Sequence, residues 1–431
     1  MSFQSLDLPD YLLEAIAALS YENPTAIQEQ AIPLVLAGED VVAEAQTGTG
    51  KTAAFGLPVI KKINELPPKK KKVSVLALTI VPTRELAVQV AASYKAYAKF
   101  SPKIIKMISL IGGEKIEYQI RGLRMGADIV IATPGRLLDI IKRTEIRLVE
   151  LETLILDEAD KMLDLGFSEE LQALLEKLPA KRQNLFFSAT FPPKVMDLSE
   201  KFLDNPTRVK IEEEQLTVKA IDQRVIEVNA ENRRPLLQHL LSTEKWRQVM
   251  VFVGSKTAAR NLAIKLTKNG QRAIGLHGDL DQRGRFEALR QFKNKEVKVL
   301  VATDIASRGI DIEKLSCVIN YDLPRSPMDY VHRIGRTGRA GESGQAVSFI
   351  DHDSAAHFKL IEKRADISLE REQVEGFELT GEASVKETGK APVKGKGKSK
   401  KDKLREKAAK KDEPSTKKAE VESRLGSHRQ L

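Results

Sequence analysis

The sequence predicts an α/β protein with two tandem domains, each built on a parallel sheet, followed by a basic tail. Short apolar runs alternate with helical patterns along most of the chain, and this alternation is typical of parallel sheets. The chain has 431 residues, 42% of them hydrophobic, and is too long for a single compact core. Its length therefore suggests two domains. The alternation is interrupted near residues 204–220, and each side of the break carries a similar number of strand candidates.

The strand candidates are apolar runs bounded by turn residues. In the first half they are DVVAEA, VSVLALTIV, DIVIAT, TLILD and NLFFSAT. In the second half they are RVIEV, VMVFV, AIGLH, KVLVATD, CVINYD and QAVSFI. Between them the segments SEELQALLEKL, AARNLAIKL and RFEALRQFK predict helices. Because a proline and a run of charge mark the break, we predict a first domain (1–205), a linker (206–220), a second domain (221–370) and a tail (371–431).

Most of the positive charge lies in the tail. The formal net charge is +10, and residues 381–431 carry 16 Lys and Arg against 8 Asp and Glu. This segment is nearly free of aromatic and β-branched residues, so it cannot bury enough apolar surface to fold. We predict a mostly disordered, polycationic tail that attracts polyanions.

The composition excludes several classes of protein. Cys317 is the only cysteine, which rules out an internal disulfide and a cysteine-based zinc cage. Its apolar surroundings, CVINY, favour a buried strand thiol. The N-terminal segment is acidic, and no apolar run approaches the roughly 18 residues that would span a bilayer. We therefore expect a soluble cytoplasmic protein that does not contact membranes.

A glycine-rich turn follows the first predicted strand in VVAEAQTGTGKT. Glycines let backbone N–H groups turn inward around a phosphate, as in the pattern G-x-x-x-x-G-K-[ST]. Lys51 can reach the β- and γ-phosphates, and the Thr52 hydroxyl can bind Mg²⁺. Ala45 departs from the pattern, which expects glycine at that position. The predicted nucleotide-binding loop consists of Ala45, Gln46, Thr47, Gly48, Thr49, Gly50, Lys51 and Thr52.

Two adjacent acidic residues follow an apolar run in LETLILDEAD. Such a pair usually belongs to a solvated loop, but here a predicted strand precedes it and a phosphate loop lies upstream. Asp157 can hold Mg²⁺ through water, and Glu158 can polarise an attacking water molecule. The six histidines show no ligand spacing, so Mg²⁺ is the only metal we expect.

Three arginines, Arg333, Arg336 and Arg339, recur at steps of three in HRIGRTGRAG, about 280 residues after the phosphate loop. An isolated cluster of this kind is usually a solvated basic turn. In nucleotide hydrolases, however, a guanidinium delivered from a second domain can stabilise negative charge on the γ-phosphate. The cluster by itself leaves both interpretations open.

Seven motifs, taken in order, carry a resemblance to a known family. They are AQTGTGKT, PTREL (82–86), TPGR (133–136), DEAD (157–160), SAT (188–190), ATDIASRGID (302–311) and HRIGRTGR (332–339). Over about residues 1–365 the chain resembles the DEAD-box family of ATP-dependent RNA helicases. The segments MSFQSLDLP, QVMVF and LEREQVEGFEL are most similar to the short bacterial RhlE-like branch. The resemblance implies two RecA-like domains, the fold of P-loop NTPases in helicase superfamily 2.

The resemblance also implies roles around the bound ATP. In YENPTAIQ, Gln28 would bond the adenine edge and Tyr21 would stack on the ring. Gly309 and Asp311 would approach the ribose from the second domain, whereas Arg333 is expected to be structural. The expected catalytic residues are Lys51, Asp157, Glu158, Arg336 and Arg339. The residues expected to couple the two domains are Asp160, Ser188, Thr190 and His332.

RNA is implied to lie across the face opposite the ATP cleft. Several of the implied contact residues are small or glycine, which suits backbone approach to phosphates better than base reading. Little sequence specificity is therefore expected. The implied RNA contacts are Thr83, Arg84, Gly113, Thr133, Gly135, Arg136, Gly254, Arg285 and Thr303.

Two other functions remain open from the sequence. A DNA translocase built from the same paired sheets would share the phosphate chemistry, although PTAIQ, DEAD and SAT together go with RNA in the family. An RNA chaperone that acts mainly through its basic tail would not need the catalytic residues. For the helicase we expect a monomer that acts on ribosomal precursor particles or with the RNA-decay machinery, but the sequence does not identify the RNA.

Overall fold

The chain carries two parallel sheets of seven strands each. The structure is a computed structural model, and it describes residues 2–46, 48–67, 75–144, 148–211, 221–307, 312, 315–338 and 344–382. Both sheets lie within the first of two units, which spans Met1–Glu382. The predicted α/β class with two tandem RecA-like sheets is therefore confirmed. The predicted tail lies mostly outside the described residues.

The first sheet has the strand order β3-β4-β2-β5-β6-β1-β7, and every pair in it is parallel. Its strands are β1 (Val41–Glu44), β2 (Ala77–Ile80), β3 (Met107–Leu110), β4 (Ile129–Ala132), β5 (Thr153–Asp157), β6 (Gln183–Ser188) and β7 (Thr207–Lys210). Its helices are α1 (Asp10–Ala18), α2 (Ala26–Ala37), α3 (Lys51–Glu65), α4 (Arg84–Tyr97), α5 (Ile116–Arg124), α6 (Pro134–Arg143), α7 (Ala159–Asp164), α8 (Ser168–Leu175) and α9 (Pro193–Phe202), with a short 3₁₀ helix at Phe3–Leu6.

The second sheet has the corresponding order β10-β11-β9-β12-β13-β8-β14, again all parallel. Its strands are β8 (Asp222–Glu227), β9 (Val249–Phe252), β10 (Ala273–Leu276), β11 (Val299–Ala302), β12 (Cys317–Asn320), β13 (Gln345–Ile350) and β14 (Arg371–Glu372). Its helices are α10 (Arg233–Thr243), α11 (Lys256–Lys268), α12 (Gln282–Lys293), α13 (Asp304–Ser307), α14 (Pro327–Ile334) and α15 (Ala355–Ala365), with a 3₁₀ turn at Ala230–Asn232.

The central strands are buried along their whole length because helices cover both faces of each sheet. Strands β2, β4 and β5 contain no exposed residue. On one face of the first sheet, Phe55 packs edge-on against Phe187 with 5.2 Å between the ring centroids. Cys317 is a buried strand thiol, and its burial raises its pKa. Trp246 is also buried and donates to Gln345.

The sequence did not predict strands β3, β7 and β14. Each of them lies at the edge of its sheet. Edge strands have fewer buried positions, so their apolar pattern is weak. Residues 207–210 pair with β1, although we placed them in the linker. Residues 371–372 pair with β8, so the second sheet extends beyond the predicted boundary at residue 370. Residues 212–220 and 383–431 lie outside the described residues.

The end of the described chain is held to the second sheet by charge and by apolar packing. Arg224 bonds Glu372 through two nitrogens, at 2.8 and 2.9 Å, and also bonds Glu244. Val374 and Phe377 pack on the core beside β9. Across the part of the chain described, no helix is long and apolar enough to cross a membrane.

Candidate functional site

The candidate nucleotide site forms where three neighbouring strands of the first sheet end. Strands β5, β6 and β1 are adjacent, so the segments after Asp157, Ser188 and Glu44 meet at one edge. In open parallel sheets ligands bind at the carboxyl ends of the strands. One cavity at this edge contains residues predicted to bind the adenine and residues predicted to bind the phosphates. Its lining includes Tyr21, Gln28, Lys51, Thr52, Asp157 and Glu158.

The phosphate loop turns through two left-handed glycines, Gly48 with φ of 89° and Gly50 with φ of 92°. Ala45 does not need to be glycine, because it continues strand β1 and its N–H bonds the Ser188 carbonyl at 3.0 Å. Lys51 begins α3, and its buried Nζ donates to the Ala45 carbonyl at 2.7 Å. Burial lowers the pKa of Lys51, although Asp157 and Glu158 oppose the shift. Thr47 lies outside the described residues.

Asp157 and Glu158 are both buried at the end of β5. Burial raises the pKa of Asp157 to about 6, against the opposing charge of Lys51. Asp157 Oδ1 is buried without a hydrogen-bond partner in the protein. Anionic oxygen ligands suit Mg²⁺, which keeps several waters when protein oxygens bind it. Asp157 and the Thr52 hydroxyl, which line the same cavity, therefore fit the metal that the sequence predicts.

Gln28 has a contact that the sequence did not reveal. It is buried, its Oε1 accepts from the Thr25 N–H at 3.0 Å, and its Nε2 donates to the Gly50 carbonyl at 3.1 Å. A Cβ added to Gly50 would lie 2.3 Å from Gln28 Nε2. In this structure Gln28 therefore stabilises the phosphate loop through its hydrogen bond to Gly50. Its contact with adenine stays a prediction. Tyr21 is 40% exposed at the same cavity, which leaves its ring accessible for stacking.

Three of the four residues predicted to couple the domains, Asp160, Ser188 and Thr190, are joined by hydrogen bonds within the first half. The backbone N–H of Asp160 donates to Ser188 Oγ at 3.1 Å. Asp160 Oδ2 in turn accepts from the Thr190 hydroxyl at 2.9 Å. A second cavity, between the two halves, is lined by Asp160 and Thr190 on one side and by His332 and Arg336 on the other. Burial lowers the pKa of His332, and the nearby charges of Lys161 and Arg336 add to this shift.

The three arginines have different environments. Arg333 is 3% exposed, bonds Asp304 through Nε and Nη2 at 2.6 and 2.7 Å, and stacks over the Phe252 ring. It therefore has the structural role expected for it. Arg336 is 9% exposed, so it does not lie in a solvated surface turn. Arg339, Gly309 and Asp311 lie outside the described residues.

Cations surround Glu158. Burial by itself would raise the pKa of this carboxyl, but Lys161, Lys51 and Arg336 together hold it below its usual range. Lys161 forms an ion pair with it, with its Nζ 2.6 Å from Glu158 Oε1. We did not predict a role for this lysine. Its only signal in the sequence is its spacing of three residues from Glu158 at the start of a helix.

Three of the candidate RNA contacts, Arg84, Gly113 and Arg285, lie where the two halves touch. Arg84 Nη1 donates to Gln282 of the second half at 2.9 Å, and Arg285 Nε donates to Glu85 of the first half at 2.7 Å. Gly113 lies against Arg84, since an added Cβ would be 2.5 Å from its Nη1. Glu85 and Gln282 were missed, because nothing in either segment indicates a partner about 200 residues away.

The other candidate RNA contacts lie at the ends of strands or the starts of helices. Thr83 caps α4 by accepting from the Leu86 N–H at 3.2 Å. Arg136 bonds the Glu114 carbonyl at 3.1 Å. The Gly254 N–H donates to Asp322 at 2.8 Å. Thr133 and Thr303 directly follow β4 and β11, while a Cβ added to Gly135 would meet open space.

Family models match most of both halves. A model described as DEAD/DEAH box helicase matches residues 25–198, and one described as helicase conserved C-terminal domain matches residues 232–341. Among curated proteins, the DEAD-box ATP-dependent RNA helicase CshA of Streptococcus pneumoniae is 43% identical over 388 residues, covering 90% of this chain and 71% of that protein. CshA of Bacillus subtilis is 42% identical over 371 residues, covering 86% and 74%. Because these relatives carry the name CshA, the RhlE-like assignment stays a prediction.

Solved structures of DEAD-box proteins are also similar to this chain. Dbp5 of S. cerevisiae bound to RNA and ADP BeF3 has a TM-score of 0.76 and 33% identity, covering 86% of this chain and 95% of that one. A DEAD box protein from Methanococcus jannaschii has a TM-score of 0.51 and 38% identity, covering 86% and 99%.

Proposed function

The chain belongs to the family of DEAD-box ATP-dependent RNA helicases, and we propose that it couples ATP hydrolysis to closure of its two RecA-like halves on RNA. It is an RNA-dependent ATPase and RNA helicase. Closure would bend or separate short RNA duplexes locally, or remodel complexes of RNA with protein. Binding energy from both ligands can shift a population of open and closed states in this way.

One observation carries the proposal. Gln46 of the phosphate loop lines a cavity together with Asp160 and Thr190 of the first half and with His332 and Arg336 of the second half. Arg336 is also close enough to Glu158 to lower the pKa of that carboxyl. Hydrolysis would therefore depend on the second half being in place.

The chain's own residues suit each part of the reaction. The phosphate loop holds the β- and γ-phosphates, with Lys51 at its end. Glu158 orients the attacking water and accepts its proton, and Arg336 stabilises the charge that develops on the γ-phosphate. Asp157 and Thr52 would hold Mg²⁺, which neutralises phosphate charge when it is bound.

RNA would bind where the two halves touch at Arg84 and Arg285. Contacts to sugars and phosphates position a nucleic acid without reading its bases, so selectivity for RNA sequence should be low. We propose that the protein acts as a cytoplasmic monomer on ribosomal precursors or RNA-decay intermediates. Crosslinking in cells followed by RNA sequencing would identify which of these RNAs it binds.

The deciding experiment measures ATP hydrolysis by the full chain with single-stranded RNA, with single-stranded DNA or with neither polymer. The proposal requires RNA alone to stimulate turnover. Equal stimulation by DNA would indicate a DNA translocase. RNA binding without ATP hydrolysis under any condition would indicate a chaperone that acts through its basic tail.

A further inference from the structure

The candidate RNA contacts of the first half step towards one edge of its sheet. In the strand order β3-β4-β2, Thr83 follows β2, Thr133 follows β4, and Gly113 follows the edge strand β3. An RNA strand that contacts these turns in succession therefore leaves the sheet beside the element that comes after Gly113. That element is α5, and its first turn lies at the same end of the sheet because it closely follows the end of β3.

Hydrogen bonds hold the start of α5 against Arg136, another of the candidate RNA contacts. Gln119 of α5 is buried, donates to the Ile111 carbonyl at 2.9 Å and accepts from Arg136 Nη1 at 3.1 Å. Arg136 Nη1 also donates to the carbonyl of Glu114, which precedes the helix, at 3.1 Å. The first turns of α5 thus have a fixed place next to the candidate RNA contacts.

The solvent side of α5 carries two large side chains with apolar surface. Tyr118 is 68% exposed, and Met125, which directly follows the helix, is 62% exposed. Side chains seven residues apart lie on the same side of a helix. Lys115 and Arg121 are also exposed, and each is three residues from Tyr118, so they lie on either side of its ring. We call Lys115, Tyr118, Arg121 and Met125 the α5 face.

The chemistry of the α5 face suits a single-stranded nucleic acid. An exposed aromatic ring can stack on any base, because every base has a π-face, while neighbouring cations contact phosphates. The Lys115 Nζ lies 5.9 Å from the centroid of the Tyr118 ring, so the ring and a cation are available together. Residues 115–125 contain three Lys and Arg and a single Glu. This excess of positive charge favours a polyanion over an apolar protein surface as the occupant.

We propose that the α5 face is an additional binding site for single-stranded RNA. A base would stack on Tyr118, and Lys115 and Arg121 would contact the adjoining phosphates. The inference rests on the proposed function, since RNA must also occupy the contacts at the strand ends. The additional site lengthens the RNA-binding surface without adding selectivity for sequence, because stacking on an aromatic ring tolerates every base.

The test measures the affinity of the full chain for oligouridylates of increasing length, up to about 16 nucleotides, with a non-hydrolysable ATP analogue present. We expect Tyr118→Ala to raise Kd for the longest oligomers about fivefold or more, the lower limit for loss of one stacked base. Kd for the shortest oligomer that stimulates ATP hydrolysis should stay within about twofold. Tyr118→Phe should retain the wild-type affinities, because it keeps the ring.

The cations of the α5 face have a separate signature. Lys115→Ala should reduce the slope of log affinity against log salt by roughly 0.7, the contribution of one phosphate contact on a single strand. This change should occur with the longest oligomers and not with the shortest. Tyr118→Ala should leave the slope unchanged, because a stacked base releases no counterions.

Phe100→Ala is the matched control for loss of an exposed ring beside a lysine. Phe100 is 38% exposed, and the Lys99 Nζ lies 4.9 Å from its centroid. It follows the far end of α4, about 20 Å along the helix from Thr83, so its loss should leave every affinity unchanged. All the variants keep residues 381–431, so RNA binding by that segment does not alter the comparison.

The outcomes separate this inference from the proposed function. An equal rise in Kd for short and long oligomers with Tyr118→Ala would overturn the additional site. No change at any length would also overturn it, and would leave the α5 face for a protein partner. If no RNA stimulates ATP hydrolysis by the wild-type chain, the proposed function itself fails.

Discussion

The two sheets share one strand order, but within the described residues only the first half carries a glycine-rich phosphate loop. Strand β1 leads into the glycine-rich phosphate loop, whereas β8, at the same place in the second sheet, leads into a 3₁₀ turn at Ala230–Asn232. Strand β5 ends at Asp157, a candidate metal ligand. Its counterpart β12 is followed by Asp322, which binds Arg233 at 3.0 Å and the Gly254 N–H at 2.8 Å. The same position in the fold thus holds a candidate metal ligand in one half and a residue that binds neighbouring groups of its own half in the other.

The candidate RNA residues show the opposite pattern, because they follow equivalent strands in both halves. Thr83 follows β2 and Gly254 follows β9, while Thr133 follows β4 and Thr303 follows β11. A repeated sheet places equivalent strand ends on a common edge, so a polymer can contact both copies in similar ways. A single ATP needs one phosphate loop, so we expect the second half to add only residues that complete the site.

The largest effect should come from removing what the second half adds to the ATP site. We expect Arg336→Ala to lower RNA-stimulated turnover by about 10³–10⁵, the usual contribution of such an arginine, with much less effect on ATP affinity. Single-turnover hydrolysis and nucleotide binding measure the two quantities. Arg325→Ala, at an exposed arginine of the same half, is the control. Equal losses of affinity and turnover would indicate a role in ground-state binding.

The matching change in the first half is Glu158→Gln. We expect turnover to fall by about 10²–10⁴, because the amide cannot accept a proton from water, while Mg-ATP binding is retained. Glu169→Gln, at an exposed glutamate of the same half, controls for loss of a negative charge. Hydrolysis within about twofold of the wild-type rate would contradict the assignment of Glu158 as the base.

An ion pair with a buried arginine should contribute more to stability than an exposed pair. Arg333→Ala leaves Asp304 without its partner inside the second half, so we expect the free energy of unfolding to fall by about 3–5 kcal/mol. Arg143→Ala removes an exposed pair with Asp139 in the first half and should cost only about 0.3–0.5 kcal/mol. Urea unfolding of both variants makes the comparison, and similar losses would show that Arg333 is not a structural anchor.

The smallest effect on chemistry should come from residues 381–431, which carry most of the net positive charge. A chain truncated after Thr380 loses a net charge of +8. We expect weaker RNA binding and a shallower dependence of log affinity on log salt, by roughly 0.7 per lost phosphate contact on single strands. ATP turnover at saturating RNA should be nearly unchanged. Identical affinities across the salt series would show that the tail does not contact RNA.

Much of this protein is determined by short stretches of sequence. Apolar runs predicted the central strands, because burial on both faces leaves a strong local pattern. The phosphate loop and the acids at the end of β5 were recognisable because each group depends on neighbouring residues and on the adjoining strand. The edge strands β3, β7 and β14 were not predicted, since their half-exposed positions carry little of that pattern.

Tertiary structure alone decided which distant side chains meet. Gln28 braces Gly50, Glu85 binds Arg285, Arg333 is buried against Asp304, and the cavity between the halves brings Arg336 towards the carboxylates of the first half. The identical order of the two sheets also became visible only in the fold. Hydrophobic periodicity reports how deeply a residue is buried, but not which residue faces it. Those partners depend on the order of strands and the packing of the two halves, which arise only when the whole chain has folded.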